Sequence, residues 1–233
     1  MSARPRPSAE VPLRDAARPR RVRAYVGLGA NIGDAPATLA AAIEALATLP
    51  GTRLASVSRL YATTPVGVVN QPEFSNAVVA LDVSAGADPA AGALSLLSAL
   101  KGLERSFGRR DRGRWAPREL DLDLLVFGRH QVRVERPPAV RSTDPAMTDA
   151  EWLVVPHPAA RDRLFVLAPL ADLAPGLRPP GWGESVATAR ARAEARESLR
   201  RRIWTAACRL RRAGDAPARP PPPVVSGGSV GAP

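Results

Sequence analysis

Residues 114–128, RWAPRELDLDLLVFG, set two carboxylates two positions apart in an otherwise apolar, alternating run. Alternation repeats every two residues in a strand, so Leu120, Leu122 and Leu124 face one side while Asp121 and Asp123 share the other. Two acids side by side on a half-buried strand repel, and the repulsion is relieved by a proton or by a bound cation. Oxygen-only ligands favour Mg²⁺ or Mn²⁺ over zinc. Taken alone, an Asp-x-Asp more often faces solvent; its neighbours shift the balance. Arg109, Arg110, Arg112, Arg114 and Arg118 precede it and Arg163 follows. A planar guanidinium grips phosphate oxygens in pairs. A metal site beside a phosphate site is what phosphoryl-type transfer needs, because the protein's contribution there is charge and positioning rather than covalent chemistry. Arg118, behind Pro117 and three residues before the first carboxylate, belongs to this site, whereas Arg110 reads as a solvated charge.

Other residues narrow the chemistry. His157 lies in a Pro156-His157-Pro158 turn six residues before Arg163, and it suits a phosphate donor or base as well as a turn-stabilising histidine. No nucleophilic cysteine and no Ser/His/Asp array stands in a motif context, so covalent catalysis is not expected. The single lysine, Lys101, has no Gly-x-x-x-x-Gly-Lys-Ser/Thr setting, which excludes a Walker-type loop.

The elements that must position these groups follow from periodicity. Residues 24–30 read as a strand. A helix follows, with Pro36 in its first turn and Leu39, Ile43, Leu46 and Leu49 as its stripe, stopping at Pro50-Gly51. Residues 53–61 read as one strand and 74–84 as the next, and the intervening connection, 62–73, is too long for a tight hairpin. Asp88 caps a second helix that buries Leu96, Leu100, Leu103 and Phe107 and ends at Gly108. Residues 119–127 are the last strand. The order βαββαβ predicts an α+β, ferredoxin-like sandwich with two helices on one face of an antiparallel sheet.

Composition bounds the rest. Of the formal net charge of +11, all comes from the ends: residues 1–23 hold seven Arg against two acids and 184–233 ten against four, while 24–183 carry sixteen of each sign. The predicted organisation is a disordered Arg/Pro-rich tail (1–23), a catalytic domain (24–183) with an excursion at 129–153, a basic extension (184–215), helical over 190–212 with Leu199, Ile203, Ala206 and Leu210 on one side, and a disordered Pro/Gly-rich tail (216–233). Residues 154–175 read as a turn and a short apolar element. Cys208, alone in the basic extension, offers no disulfide and points to the cytoplasm. No apolar run approaches a membrane span, and the first 23 residues lack the apolar segment of a secretory signal.

Five segments together resemble the 6-hydroxymethyl-7,8-dihydropterin pyrophosphokinase family of folate biosynthesis: Tyr61-Ala-Thr63-Thr-Pro65-Val-Gly67, Gln71-Pro-Glu-Phe74-Ser-Asn76, Gly108-Arg109, Arg114-Trp115-Ala-Pro117-Arg118-Glu-Leu-Asp121-Leu-Asp123, and Pro156-His157-Pro158 with Arg163-Leu-Phe165. The resemblance spans about residues 24–178. It implies transfer of a diphosphate from ATP to the pterin hydroxymethyl group with release of AMP, using two Mg²⁺ ions on Asp121 and Asp123. It also implies a pterin ring between Phe74 and Phe165, with the Asn76 amide and the backbone of Thr63 and Val66 reading its edge. The nucleotide would meet Glu104, Arg112, Arg114, Trp115, Arg118, Leu124, His157 and Arg163, with either Arg110 or Arg112 serving the loop, and Arg109 and Arg118 would assist transfer. The expected partners are these small molecules, with no membrane, and contact with other folate enzymes is left open. The alternative is a ferredoxin-like nucleic-acid-binding module with basic arms. Such a module needs stacking aromatics on its sheet, and aromatics are 4% of this chain.

Overall fold

The computed structural model describes residues 20–65, 71–86, 88–109, 116–141, 151–210 and 226–228, with backbone only for 200–210 and 226–228. Its elements are β1 (Arg21–Ala30), α1 (Ala35–Ala47), β2 (Arg53–Val57), β3 (Leu60–Thr63), β4 (Phe74–Ser84), α2 (Pro89–Ser106), β5 (Asp121–Phe127), β6 (Val132–Glu135), β7 (Trp152–Val155), α3 (Leu164–Leu173), α4 (Val186–Leu210) and β8 (Ser226–Gly228). The main sheet runs β5-β1-β4-β3-β8 with β2 also on β4, and β1 pairs antiparallel with both β4 and β5. This is the expected βαββαβ sandwich.

Both helix starts are chemically marked. Asp34 accepts from the Ala37 amide at 3.0 Å, and Asp88 from the Ala90 and Ala91 amides at 3.0 and 3.3 Å, each with proline in the first turn. α1 and α2 lay Leu39, Leu46, Leu96, Leu97 and Leu100 on Val26, Leu28, Val79, Leu81, Leu122, Leu124 and Phe127 of the sheet. Close approach fixes one residue of α2. A Cβ on Gly92 would stand 2.5 Å from the Ala85 carbonyl oxygen, so any larger side chain would push the helix off the strand end.

Several features differ from the sequence reading. The strand expected over 53–61 is two strands, because Ser58 interrupts it: its Oγ accepts from the Val78 amide at 2.9 Å while its own amide donates to the Val78 carbonyl. The apolar element after His157 is a full second helical layer. α3 and the first half of α4 pack Leu167, Leu170, Val186, Ala189 and Ala193 against Tyr25, Tyr61, Val78, Ala80, Leu125 and Val126 on the opposite sheet face. α4 therefore packs through its small residues, and Leu199 of the expected stripe is exposed. The excursion after Gly128 includes a hairpin, β6 with β7, and β8 lies within the tail expected to be disordered.

α3 is locked to β3 by Tyr61, whose buried hydroxyl lies 2.9 Å from both Asp172 oxygens and accepts from Arg59. Tyr61→Phe is expected to lower the urea midpoint with an unchanged slope, a loss of about 1.5–3 kcal/mol for a hydrogen bond to a charged group.

Candidate active site

The strand register assembles the site. Tyr61, Asn76, Gly29 and Asp121 are successive cross-strand partners on β3, β4, β1 and β5, and Val78, Gly27 and Asp123 form the next row. Partners across a pleated sheet point to one face. Asn76 and both carboxylates therefore share a face with two glycines between them. A Cβ on Gly29 would meet Asn76 Oδ1 at 3.4 Å and one on Gly27 would meet Leu125 at 3.4 Å, so the two glycines let the Asn76 amide and the Leu125 side chain lie close against the β1 backbone between the amide and the acids. At one end of the same face, Tyr25, Ala80 and Val126 are covered by the α3–α4 layer. Leu120, Leu122 and Leu124 point the other way into the α1–α2 core, as their alternation predicted.

Cations crowd the acids. Asp121 accepts from Arg109 Nη1 at 2.6 Å through one oxygen and from Arg118 Nη1 through the other. Burial alone would raise its pKa, but the charges of Arg118, Arg109 and Lys101 win and hold the carboxyl below the usual range. Asp123 makes no ion pair among the described residues. Arg109 Nη1 also lies 2.5 Å from Glu104, which accepts from Lys101 Nζ and from the Leu122 amide at 2.7 Å each. Burial pushes the Glu104 carboxyl up while Lys101 and Arg109 hold it back. Glu104 thus braces α2, β5 and Arg109 from behind.

A divalent ion fits this donor set. Asp121 and Asp123 are hard oxygen ligands on one face, and no cluster of three or more His, Cys, Asp or Glu forms among the described residues. Two carboxylates suit Mg²⁺, which keeps water and phosphate oxygens in its remaining positions.

On the other side of the β1 glycines, Asn76 Nδ2 donates to Thr63 Oγ1 at 2.8 Å and to the Phe74 carbonyl at 3.3 Å, and Thr63 pairs with Phe74 across the strands. Phe74 is half-buried at the start of β4. Phe165, in the first turn of α3, is partly buried with the Arg163 guanidinium 5.7 Å from its ring centroid. His157 is seated by its amide on the Leu125 carbonyl at 2.9 Å, and its Nδ1 accepts from the Ala159 amide at 3.2 Å, which leaves Nε2 as the donor of the neutral ring. The Leu124 side chain does not reach this face, so its expected nucleotide contact is restricted to backbone. Val66, Arg112, Arg114 and Trp115 lie outside the described residues, as does Arg110.

Sequence reasoning missed Lys101 and Asn31 as site-building residues. Lys101 had a local signal, standing one helical turn before Glu104. Buried Asn31 had none, because its partners lie 40 and more residues away. Arg136, at the end of β6, is a further cation whose charge is felt by Asp123 and Glu104; its Nε donates to the Trp152 carbonyl at 3.0 Å.

Burial lowers the His157 pKa, reinforced by Arg163 and Arg136 and opposed by Asp123 and Asp121. The unfolded chain therefore takes up a proton that the native ring refuses, and this contribution to stability is lost as pH falls from the ordinary histidine value, about 6.5, toward the native one. Urea unfolding at pH 7.5 and 5.5 should show a larger drop for the parent than for His157→Gln. An equal drop would mean that the native ring titrates normally.

Comparison with known proteins converges on one family. Residues 25–175 match the profile described as 7,8-dihydro-6-hydroxymethylpterin-pyrophosphokinase (HPPK). The chain is 42% identical over 158 residues to the 2-amino-4-hydroxy-6-hydroxymethyldihydropteridine pyrophosphokinase of Pseudomonas aeruginosa, covering 68% of this chain and 84% of that protein. It is 41% identical over 155 residues to the protein of the same name from Methylorubrum extorquens, covering 66% and 84%. In fold it is similar to wild-type Plasmodium falciparum HPPK-DHPS solved with pterin and p-hydroxybenzoate, at a TM-score of 0.58 and 14% identity, over 79% of this chain and 45% of that one. These relatives give the nucleic-acid-binding alternative no support. Among the described residues no helix is long and apolar enough to cross a membrane.

Proposed function

The chain belongs to the 7,8-dihydro-6-hydroxymethylpterin pyrophosphokinase family, and from that premise we propose that it moves the terminal diphosphate of ATP onto the hydroxymethyl oxygen of 6-hydroxymethyl-7,8-dihydropterin. The alcohol oxygen attacks the β-phosphorus, the bond from that phosphorus to the α,β-bridging oxygen breaks, AMP leaves with the bridging oxygen, and the hydroxyl proton is released. The observation that carries this reading is the single sheet face on which Asn76 and the Asp121/Asp123 pair flank the glycines of β1.

Each side chain has a role in this account. Phe74 and Phe165 supply flat apolar faces for the fused ring, and the Asn76 amide, oriented by Thr63, reads the ring edge. Asp121 and Asp123 would hold Mg²⁺, two ions being the number proposed; what the metal would supply when bound is neutralisation of phosphate charge and polarisation of the phosphoryl oxygens. Arg109 and Arg118, now on Asp121, exchange carboxylate for phosphate oxygens and meet the charge that develops in transfer. His157 Nε2 and Arg163 donate to the nucleotide. Glu104 and Lys101 keep Arg109 and β5 in place.

Separating the nucleotides after incubation with ATP and Mg²⁺, with and without the reduced pterin, tests the reading. AMP formation that depends on the pterin is expected. ADP as the pterin-dependent product would overturn it.

A further inference from the structure

We propose that Asn31 is a positioning residue that couples the pterin side of the site to the phosphate side, so that occupation of one half favours occupation of the other. The inference rests on the functional reading above and deepens it.

Asn31 follows β1 directly, beyond Gly29 and Ala30, and it is 2% exposed. Its Nδ2 donates to Gln71 Oε1 at 3.1 Å and to the Pro72 carbonyl at 3.2 Å. Its Oδ1 accepts from the Arg118 amide at 2.8 Å, and its own amide donates to the Arg118 carbonyl at 3.0 Å. One planar amide thus clamps two segments that are far apart in sequence. Gln71 and Pro72 lead into Phe74 and Asn76, the groups offered to the heterocycle. Arg118 leads into Asp121, whose carboxylate its guanidinium already holds. The amide group is rigid: its donor and acceptor lie in one plane, so a shift that improves one set of bonds is felt by the other. A buried amide also cannot exchange its partners for water, and a bond lost on either side would leave an unsatisfied polar atom. Ordering the Gln71–Pro72 segment on the pterin therefore meets part of the cost of ordering the Arg118 segment on phosphate, and the reverse holds by linkage.

Asn31→Asp separates the two arms. A carboxylate still accepts from the Arg118 amide but can no longer donate to Gln71 and Pro72. Binding of oxidised 6-hydroxymethylpterin is measured by calorimetry without and with saturating Mg²⁺ and a methylene-bridged ATP analogue that cannot transfer. In the parent the analogue should tighten pterin binding by about ten-fold or more, within the range of ordinary coupling energies. In Asn31→Asp the ratio should fall to within about two-fold of unity while the analogue alone binds about as before. Gln71→Leu, at a half-buried position that does not threaten folding, should lose part of the ratio and carries the test should Asn31→Asp unfold. A merely structural Asn31 would lower stability and leave the ratio intact.

A parent-like ratio in either soluble variant overturns the proposal. So does a parent that binds both ligands independently, which leaves the functional reading standing. A parent that binds neither ligand overturns both.

Discussion

Replacing Asp123 with alanine should lower kcat/KM by about a thousand-fold or more, roughly 4 kcal/mol of transition-state stabilisation, while leaving the protein as stable as before. Both halves of this expectation come from its surroundings. Asp123 stands on the site face beside Gly27 with no ion pair among the described residues, and Arg109 and Arg136 act on it only through space, so removing it breaks no described ion pair and relieves repulsion with Asp121. Asp121→Ala should behave differently. It leaves the guanidinium groups of Arg118 and Arg109, each about a quarter exposed, without this carboxylate, and Arg109 keeps only its pair with Glu104. Activity should fall comparably, and stability by about 2 kcal/mol, below the ~3–5 kcal/mol of fully buried pairs because water reaches this one. Steady-state kinetics with thermal unfolding separates the two. Equal melting temperatures for both variants would mean that the arginine pairs on Asp121 contribute nothing to the fold.

Arg118→Ala is the second large effect expected, about a hundred-fold in kcat with a smaller change in KM for ATP. The reason is differential. In the free protein Arg118 is bound to Asp121, and in the proposed role its bond to phosphate would be gained most fully where charge builds during transfer. Arg118→Lys should recover only part of the loss, since an ammonium cannot form two parallel bonds to a phosphate or carboxylate. A full recovery would reduce Arg118 to a simple charge. A KM effect with unchanged kcat would assign it to ground-state binding.

The parts of this site that were legible in the sequence are those with a local physical signature. Period-two alternation placed Asp121 and Asp123 opposite Leu122 and Leu124, and Pro36 marked the first turn of α1 and Asp88 the start of α2 because proline geometry and side-chain capping act over three residues. The second helical layer was not legible. Its apolar run is short, and Pro169, which cannot donate to a helical ladder, sits inside α3, so helix and strand were not separable before the sheet face it covers was known. The break between β2 and β3 depends on a serine hydroxyl replacing one ladder bond, which periodicity does not register. The clamp at Asn31 and the brace of Glu104 on the Leu122 amide join residues through tertiary contact, and no window of sequence contains both partners. The basic residues of the first part of α4 have a structural occupation that no local pattern shows: Arg192 pairs with Asp162 and Glu184, holding the helix to the turn that follows His157.

In the proposed reaction the carboxylate pair lets two phosphoryl groups of ATP travel as one unit. ATP carrying radioactive phosphorus only in the β position reports this directly. After reaction with Mg²⁺ and the reduced pterin, the label should be found on the pterin, with unlabelled AMP in equal amount, and Asp123→Ala should leave it in ATP. Label retained in ADP, with a singly phosphorylated pterin beside it, would contradict the account.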